Sequence, residues 1–365
     1  MDHKPLDLAK LSPAAQKALG AAPGRMMASR GLVPLPPGDQ LAVLYQLSID
    51  ADQALAQTAR TTAMGLPDKL LAGALADGSL DPRIIDLFAQ LVGDKAVAFA
   101  ALVANPAIAD STVAYLAESA AADEIDRIAT NEQRLLRSPE IIGAMYGNKL
   151  ARMSTIDRVV ELAVRNHVRV PGLAAWDEIA RALDTGARSS PADDALLAAA
   201  TAEPGDDRVL TEGDAEQPVD DEHAPAVPDE DVPIDKMSMP AKIRLATLGD
   251  AFQRNVLIRS PVKIVALAAI KSPRVTEFEA AHYAGNQALD ENVIRYIASR
   301  REWTKLYGIK YSLCRNPKTP VTEAMRLLPF LREKDLTNLS KSKGVPSAVV
   351  AQARKLMMQR RGPSK

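Results

Sequence analysis

The chain has 365 residues, room for two or three domains, and 47% of them are apolar while only 4% are aromatic. One cysteine, Cys314, excludes an intramolecular disulfide framework and any multi-cysteine zinc site, and His3, His167, His223 and His282 show no metal-ligand spacing. The net charge of -1 conceals a division into about -3 over residues 1–190, -14 over 191–235 and +16 over 236–365.

A core short of aromatics must be built from Ala, Leu, Val and Ile. Ala and Leu favour helix and let helices approach closely, so the expected fold class is all-α. The opening residues (MDHKPLDLAK) lack an apolar signal region, and no uninterrupted apolar run approaches about 18 residues. The expected location is therefore cytoplasmic, with no membrane span. No cofactor is expected.

The first block, residues 1–188, predicts short helices starting near Asp50, Pro67, Asp81, Asp94, Asp110, Pro139, Ser154 and Pro171. DPRIIDLFAQLV and DSTVAYLAES place apolar residues at i, i+3, i+4. The phasing is less regular around Glu124–Leu136. Ser154 with Asp157 reads as a Ser-x-x-Asp capping box, not as a nucleophile, since His167 lies beyond that helix. The run Asn131–Thr155 is rich in Asn, Arg and Tyr. Arg134, Arg137, Tyr146, Asn148 and Arg152 are its candidates for binding a protein partner; the plainer alternative is a helix pair with a solvated basic edge.

Residues 189–235 are rich in Pro, Asp and Glu and have no aromatic, so they predict a disordered acidic linker with one transient helical island at Ala195–Ala202. Asp193 and Asp194, and Asp220 and Asp221, are paired carboxylates there, in a segment expected to form no cavity that would raise a pKa.

The basic block, residues 236–365, predicts helix starts near Lys263, Thr276, Asp290, Thr304, Val321, Glu333 and Ser347. Every second start recurs at roughly 26–30 residues, the helix-pair period of an α-solenoid. Thr276 with Glu279 forms a capping box, Asp290 and Ser347 are N-cap types, and Pro261, Pro273, Pro317, Pro320 and Pro346 separate the apolar runs. Trp303, Tyr307 and Tyr311 follow at i, i+4 steps, a stripe read as core packing ahead of a base-stacking platform.

Three junctions are alike: IRSPVKI at Ile258–Ile264, IKSPRVT at Ile270–Thr276 and CRNPKTP at Cys314–Pro320. With VANPAIAD at Val103–Asp110 they resemble the Asn-Pro-x-Thr-Pro junctions of leucine-rich-repeat-variant and HEAT-like bacterial solenoids. The resemblance covers about 110 residues of the basic block and the first block loosely. It implies a curved stack of helices offering a surface to a partner, and it supplies no catalytic residues.

No P-loop, Gly-x-Gly-x-x-Gly, His-Glu-x-x-His or Gly-x-Ser-x-Gly is present, so the expectation is a non-enzymatic scaffold or adaptor. The alternative is binding of nucleic acid or another polyanion by Arg259, Lys263, Lys271, Arg274, Arg300, Arg301, Lys305, Arg315 and Lys318, with the acidic linker as a competing plug. The pairs Arg259 and Lys263, Lys271 and Arg274, and Arg315 and Lys318 could line up as a ridge, since solenoid repeats set equivalent loops side by side; the first two loops are consecutive, which in an antiparallel stack could set them on opposite edges.

Overall fold

The computed structural model describes residues 4–20, 22–202, 207–217 and 234–361. His3, His223 and the Asp220–Asp221 pair lie outside them. Among the described residues every regular element is helical: 25 α-helices and three 3-10 turns. No helix there is long and apolar enough to cross a membrane. Two compact units divide between Val170 and Pro171.

The first unit is a two-layer stack. Helices Pro37–Ser48, Asp68–Leu75, Ala96–Ala104 and Ala122–Ile128 pack in turn in one layer. Ala22–Ser29, Gln53–Met64, Pro82–Val92, Asp110–Ala117 and Glu140–Gly147 form the other, with starts 28 to 31 residues apart. These helices are too short to be stable alone, so stacking against the neighbouring repeat supplies their stability. Their starts are fixed locally. Asp52 accepts from the amides of Ala54 and Leu55, and Asp81 accepts from that of Arg83 with Pro82 at the first helical position. The extra helix Glu132–Arg137 sits between Ala122–Ile128 and Glu140–Gly147. It accounts for the lost phasing near Glu124–Leu136. Ser154 is not a cap: the helix Met153–Arg165 already includes it, and Arg152 occupies the cap position.

The second unit repeats the arrangement. Helices Met239–Leu248, Lys263–Ile270 and Glu291–Ser299 stack in one layer, joined by Trp176–Asp184, which the sequence placed with the first block. Glu277–Gly285, Tyr307–Arg315 and Glu333–Ser340 stack in the other, and Ser347–Arg361 packs over the last repeat. The expected starts at Lys263, Val321, Glu333 and Ser347 coincide with the observed helices. Thr276 and Asp290 are side-chain N-caps, and Thr276 and Glu279 form the expected capping box. The chain turns at Lys305 and Leu306, so Trp303 lies on the short helix Arg301–Thr304 and not on the Tyr307–Tyr311 face.

The stretch expected as a linker is structured over much of its length. Pro191–Thr201 is a helix with Asp193, Leu197 and Ala200 buried, and Arg208–Thr211 is a helical turn with Leu210 buried. Composition missed the reason. The Asp193 carboxylate accepts from the Ser190 amide at 2.6 Å and hydroxyl at 3.0 Å, and from the Ser238 amide at 2.8 Å, tying the segment to the helix that follows. Burial would raise the pKa of Asp193, but these bonds hold it below the usual carboxylate range. Residues 203–206 and 218–233 lie outside the described residues.

An asparagine ladder joins the repeats. Asn105, Asn148 and Asn316 each follow a helix as its C-cap and are at most 3% exposed. Each side-chain amide donates to two carbonyls near the end of a helix about one repeat upstream: Asn105 to Leu75 and Asp77, Asn148 to Ala117 and Ala120, Asn316 to Ala284 and Asn286. Each side-chain carbonyl accepts the amide two residues on, from Ala107, Leu150 and Lys318. One side chain thereby caps a helix in the neighbouring repeat and sets its own turn. Ser272 bonds the Thr247 carbonyl in the same way at 3.1 Å.

Candidate functional site

The basic candidates divide between the two edges of the second unit. Arg259 and Lys263 occupy the junction that leads into Lys263–Ile270, and Arg315 and Lys318 the one that leads into Val321–Leu327; burial would raise the pKa of Asp290, but its bonds to Asn292, then Lys263 and Lys318, hold it below the usual range. Lys271, Arg274, Arg300, Arg301 and Lys305 occupy the connections at the opposite edge.

Several of these cations hold repeats together. Arg274 donates to the carbonyls of Leu248 and Gly249, and Lys318 to those of Ala288 and Leu289, in each case 25 to 30 residues upstream. Leu248 ends the helix Met239–Leu248, so Arg274 also meets the negative pole of that helix dipole. Lys271 pairs with buried Glu178 at 2.8 Å. Arg300 lies over both Tyr296 and Trp303, which meet edge to face at 6.0 Å. Arg259, Lys263, Arg301, Lys305 and Arg315 are exposed. Arg259 donates to the Asn255 carbonyl, and Arg315 lies over the Tyr311 ring.

The candidates in Asn131–Thr155 are corrected by the structure. Tyr146 and Asn148 are 2% and 3% exposed, so neither offers a surface to a partner. Arg134 and Arg137 both reach Asp110, and Arg152 reaches Asp123 and Asp126. These pairs span 24 to 29 residues, the repeat distance again. The unusual composition of this run therefore marks a seam between repeats. Arg137, with 66% of its side chain exposed, and Arg152, with 42%, keep contact with solvent.

Two features were not visible in the sequence. In the first unit, an open cleft of about 940 Å³ runs beside the N-terminal segment, lined by Asp7, Asp39, Asp77 and Asp81 together with Lys10 and Arg83. That segment is held by Tyr45, whose hydroxyl donates to the Lys4 carbonyl at 2.8 Å, and by Arg83, which donates to the Pro5 carbonyl at 2.7 Å.

In the second unit, residues 207–217 cross the second-layer helices. Asp207 accepts from the Ala251 amide at 3.1 Å, and buried Leu210 lines a small cavity together with Asn255, Arg259, Glu279, His282, Tyr283 and Asn286. The Ala215 carbonyl accepts from the Gly308 amide at 3.1 Å, and Glu216 accepts from the Tyr307 amide at 2.9 Å. Beneath them Arg254 and Glu279 form a two-pronged pair at 3.0 and 2.9 Å, both side chains at most 3% exposed, and the Tyr283 hydroxyl donates to Glu279. Burial, then the Glu279 charge, drives the Tyr283 pKa upward.

Cys314 is buried, and desolvation pushes its thiol up to about 12, so it acts as a small apolar residue. Among the described residues no group of three or more His, Cys, Asp or Glu is placed to hold a metal ion. No protein-family model matches the chain, no curated protein matches it, and no solved structure matches it.

Proposed function

We propose that the chain is a non-enzymatic helical-repeat scaffold that engages a macromolecular partner through the surfaces of its stacks. The supporting observation is where the polar side chains go. Asn105, Asn148, Asn316, Arg134, Arg137, Arg152, Arg274 and Lys318 all bond 24 to 32 residues upstream, joining one repeat to the next. The Asn-Pro and Ser-Pro junctions support placing the chain beside the leucine-rich-repeat-variant and HEAT-like solenoids, and the proposed location is cytoplasmic.

A second reading, nucleic-acid binding, draws on the edge bearing exposed Arg259, Lys263 and Arg315 with Lys318. Affinity capture with the tagged full-length chain, beside Lys263→Glu/Arg315→Glu, separates the two. A protein retained in stoichiometric amount by both forms supports the scaffold. Labelled DNA or RNA bound with a steep salt slope, and released by the charge reversal, supports the second reading. Failure to retain any macromolecule sinks both.

A further inference from the structure

Residues 207–217 lie on the second unit as a ligand would. We infer that the face formed by helices Ala251–Leu257, Glu277–Gly285 and Tyr307–Arg315 is a seat for an acidic peptide, occupied in cis by residues 207–217, and that an acidic segment of a partner protein takes it by displacing them. The inference rests on the scaffold reading and gives its partner a chemistry.

Gly308 carries the argument furthest. It lies in the first turn of a nine-residue helix, where Ala would favour helix more. A Cβ there would stand 2.1 Å from the Gln217 carbonyl oxygen and 2.5 Å from that of Ala215. A missing side chain at that position makes sense when another backbone runs across it. Gly213 makes the matching approach from the segment's side, since its Cβ would collide with the Phe278 ring.

The carboxylates meet backbone amides. Asp207 accepts from the Ala251 amide, and Glu216 from the first amide of the nine-residue helix Tyr307–Arg315, at its positive pole. The segment carries Asp207, Glu212, Asp214 and Glu216 against Arg208 alone.

The hold is partial. Only Leu210 and Ala215 are buried apolar residues of the segment, while Val209 is 62% exposed. Beside Leu210 the cavity keeps Asn255 Nδ2 buried and without a hydrogen-bond partner. A better-fitting peptide can satisfy that donor. The seat thus selects an apolar residue, Gly three places on, a small residue two further and an acid next, as in Leu210, Gly213, Ala215 and Glu216.

The test uses the full-length chain and a labelled peptide of residues 206–218. Leu210→Ser/Glu216→Gln is expected to bind the peptide at least tenfold more tightly than wild type, and adding Gly308→Ala is expected to abolish that binding. Hydrogen exchange gives the second readout: the amides of Ala251, Tyr307 and Gly308 should exchange faster in the released variant and slow again with peptide. The milder Asp207→Asn/Glu216→Gln covers the case in which the first variant misfolds. Opened amides without peptide binding, or amides that never open, would overturn the inference. So would equal displacement by a single-stranded oligonucleotide of like charge, which makes the face a polyanion site. Peptide failure with a captured protein partner removes this seat and leaves the scaffold; loss of both removes both.

Discussion

Removing the Asn316 amide should destabilise the second unit more than any exposed change beside it. The side chain donates to the Ala284 and Asn286 carbonyls at 2.9 and 3.1 Å and accepts from the Lys318 amide at 3.0 Å, all at a residue 2% exposed. Asn316→Ala deprives two carbonyls of this donor and the Lys318 amide of its acceptor. A satisfied bond is worth about 1 kcal/mol net, and an orphaned buried group costs about 1–3 kcal/mol, so the combined loss is about 3 kcal/mol. With a urea slope of about 2 kcal/mol/M, the midpoint falls by about 1.5 M. Trp176 and Trp303 are the only two tryptophans and both lie in the second unit, so tryptophan fluorescence reads its unfolding. Gln287→Ala, at an exposed neighbour, should stay within about 0.5 kcal/mol of wild type. Asn316→Asp should be no better than Ala, because an ionised carboxylate cannot donate to either carbonyl. A midpoint for Asn316→Ala indistinguishable from that of Gln287→Ala, or a well-tolerated Asp, would refute the ladder as the joint between repeats.

Three further outcomes follow from buried charge and sulfur. Arg254→Met leaves Glu279 buried without its cation and should cost about 3–5 kcal/mol by urea denaturation, whereas Arg83→Met, at a half-exposed pair with Asp81, should cost at most about 1 kcal/mol by thermal melting. Native protein at pH 8 should resist thiol reagents at Cys314 and react only as urea unfolds it; rapid stoichiometric labelling would contradict a thiol pushed up to about 12. Asp193 has a folded pKa below its unfolded one, so its contribution is full above the unfolded value and is lost as pH falls through the folded value. Asp193→Asn should therefore lower stability at neutral pH and flatten its decline below about pH 4, and a parallel decline would contradict the assignment.

The repeat was legible because its punctuation is local. Thr276 and Asp290 cap helices through bonds to amides two or three residues away, and Pro82 starts one by its fixed φ, so the sequence carries the instruction in a few adjacent letters. The junction motif pointed to its own chemistry only in part. Asn316 in CRNPKTP reads as a turn residue, and its other partners lie 30 and 32 residues away. The same distance hid the role of Arg134, Arg137 and Arg152. Their density suggested a surface, yet Asp110, Asp123 and Asp126, one repeat earlier, are their partners.

Part of the acidic stretch, in Pro191–Thr201 and residues 207–217, shows what composition alone does not reveal. A segment poor in apolar residues cannot build a core, and the disorder expectation follows from that rule. Residues 207–217 escape it by borrowing structure already in place: two helix starts offer amides to Asp207 and Glu216, and Leu210 is buried against the helices, beside a small cavity. The charge split of the chain reads differently in this light. The acidity meets the basic block at least partly through backbone amides, not through the loop cations first paired with it; Arg274 and Lys318 are turned toward carbonyls of their own stack. A solenoid multiplies helix ends along an edge, so it multiplies amides that favour anions and carbonyls that favour cations. Net charge alone cannot say which of these a partner meets. In this chain the structure places carboxylates on the amides and cations on the carbonyls, and an acidic partner that binds the seat must compete with a segment already tethered beside it.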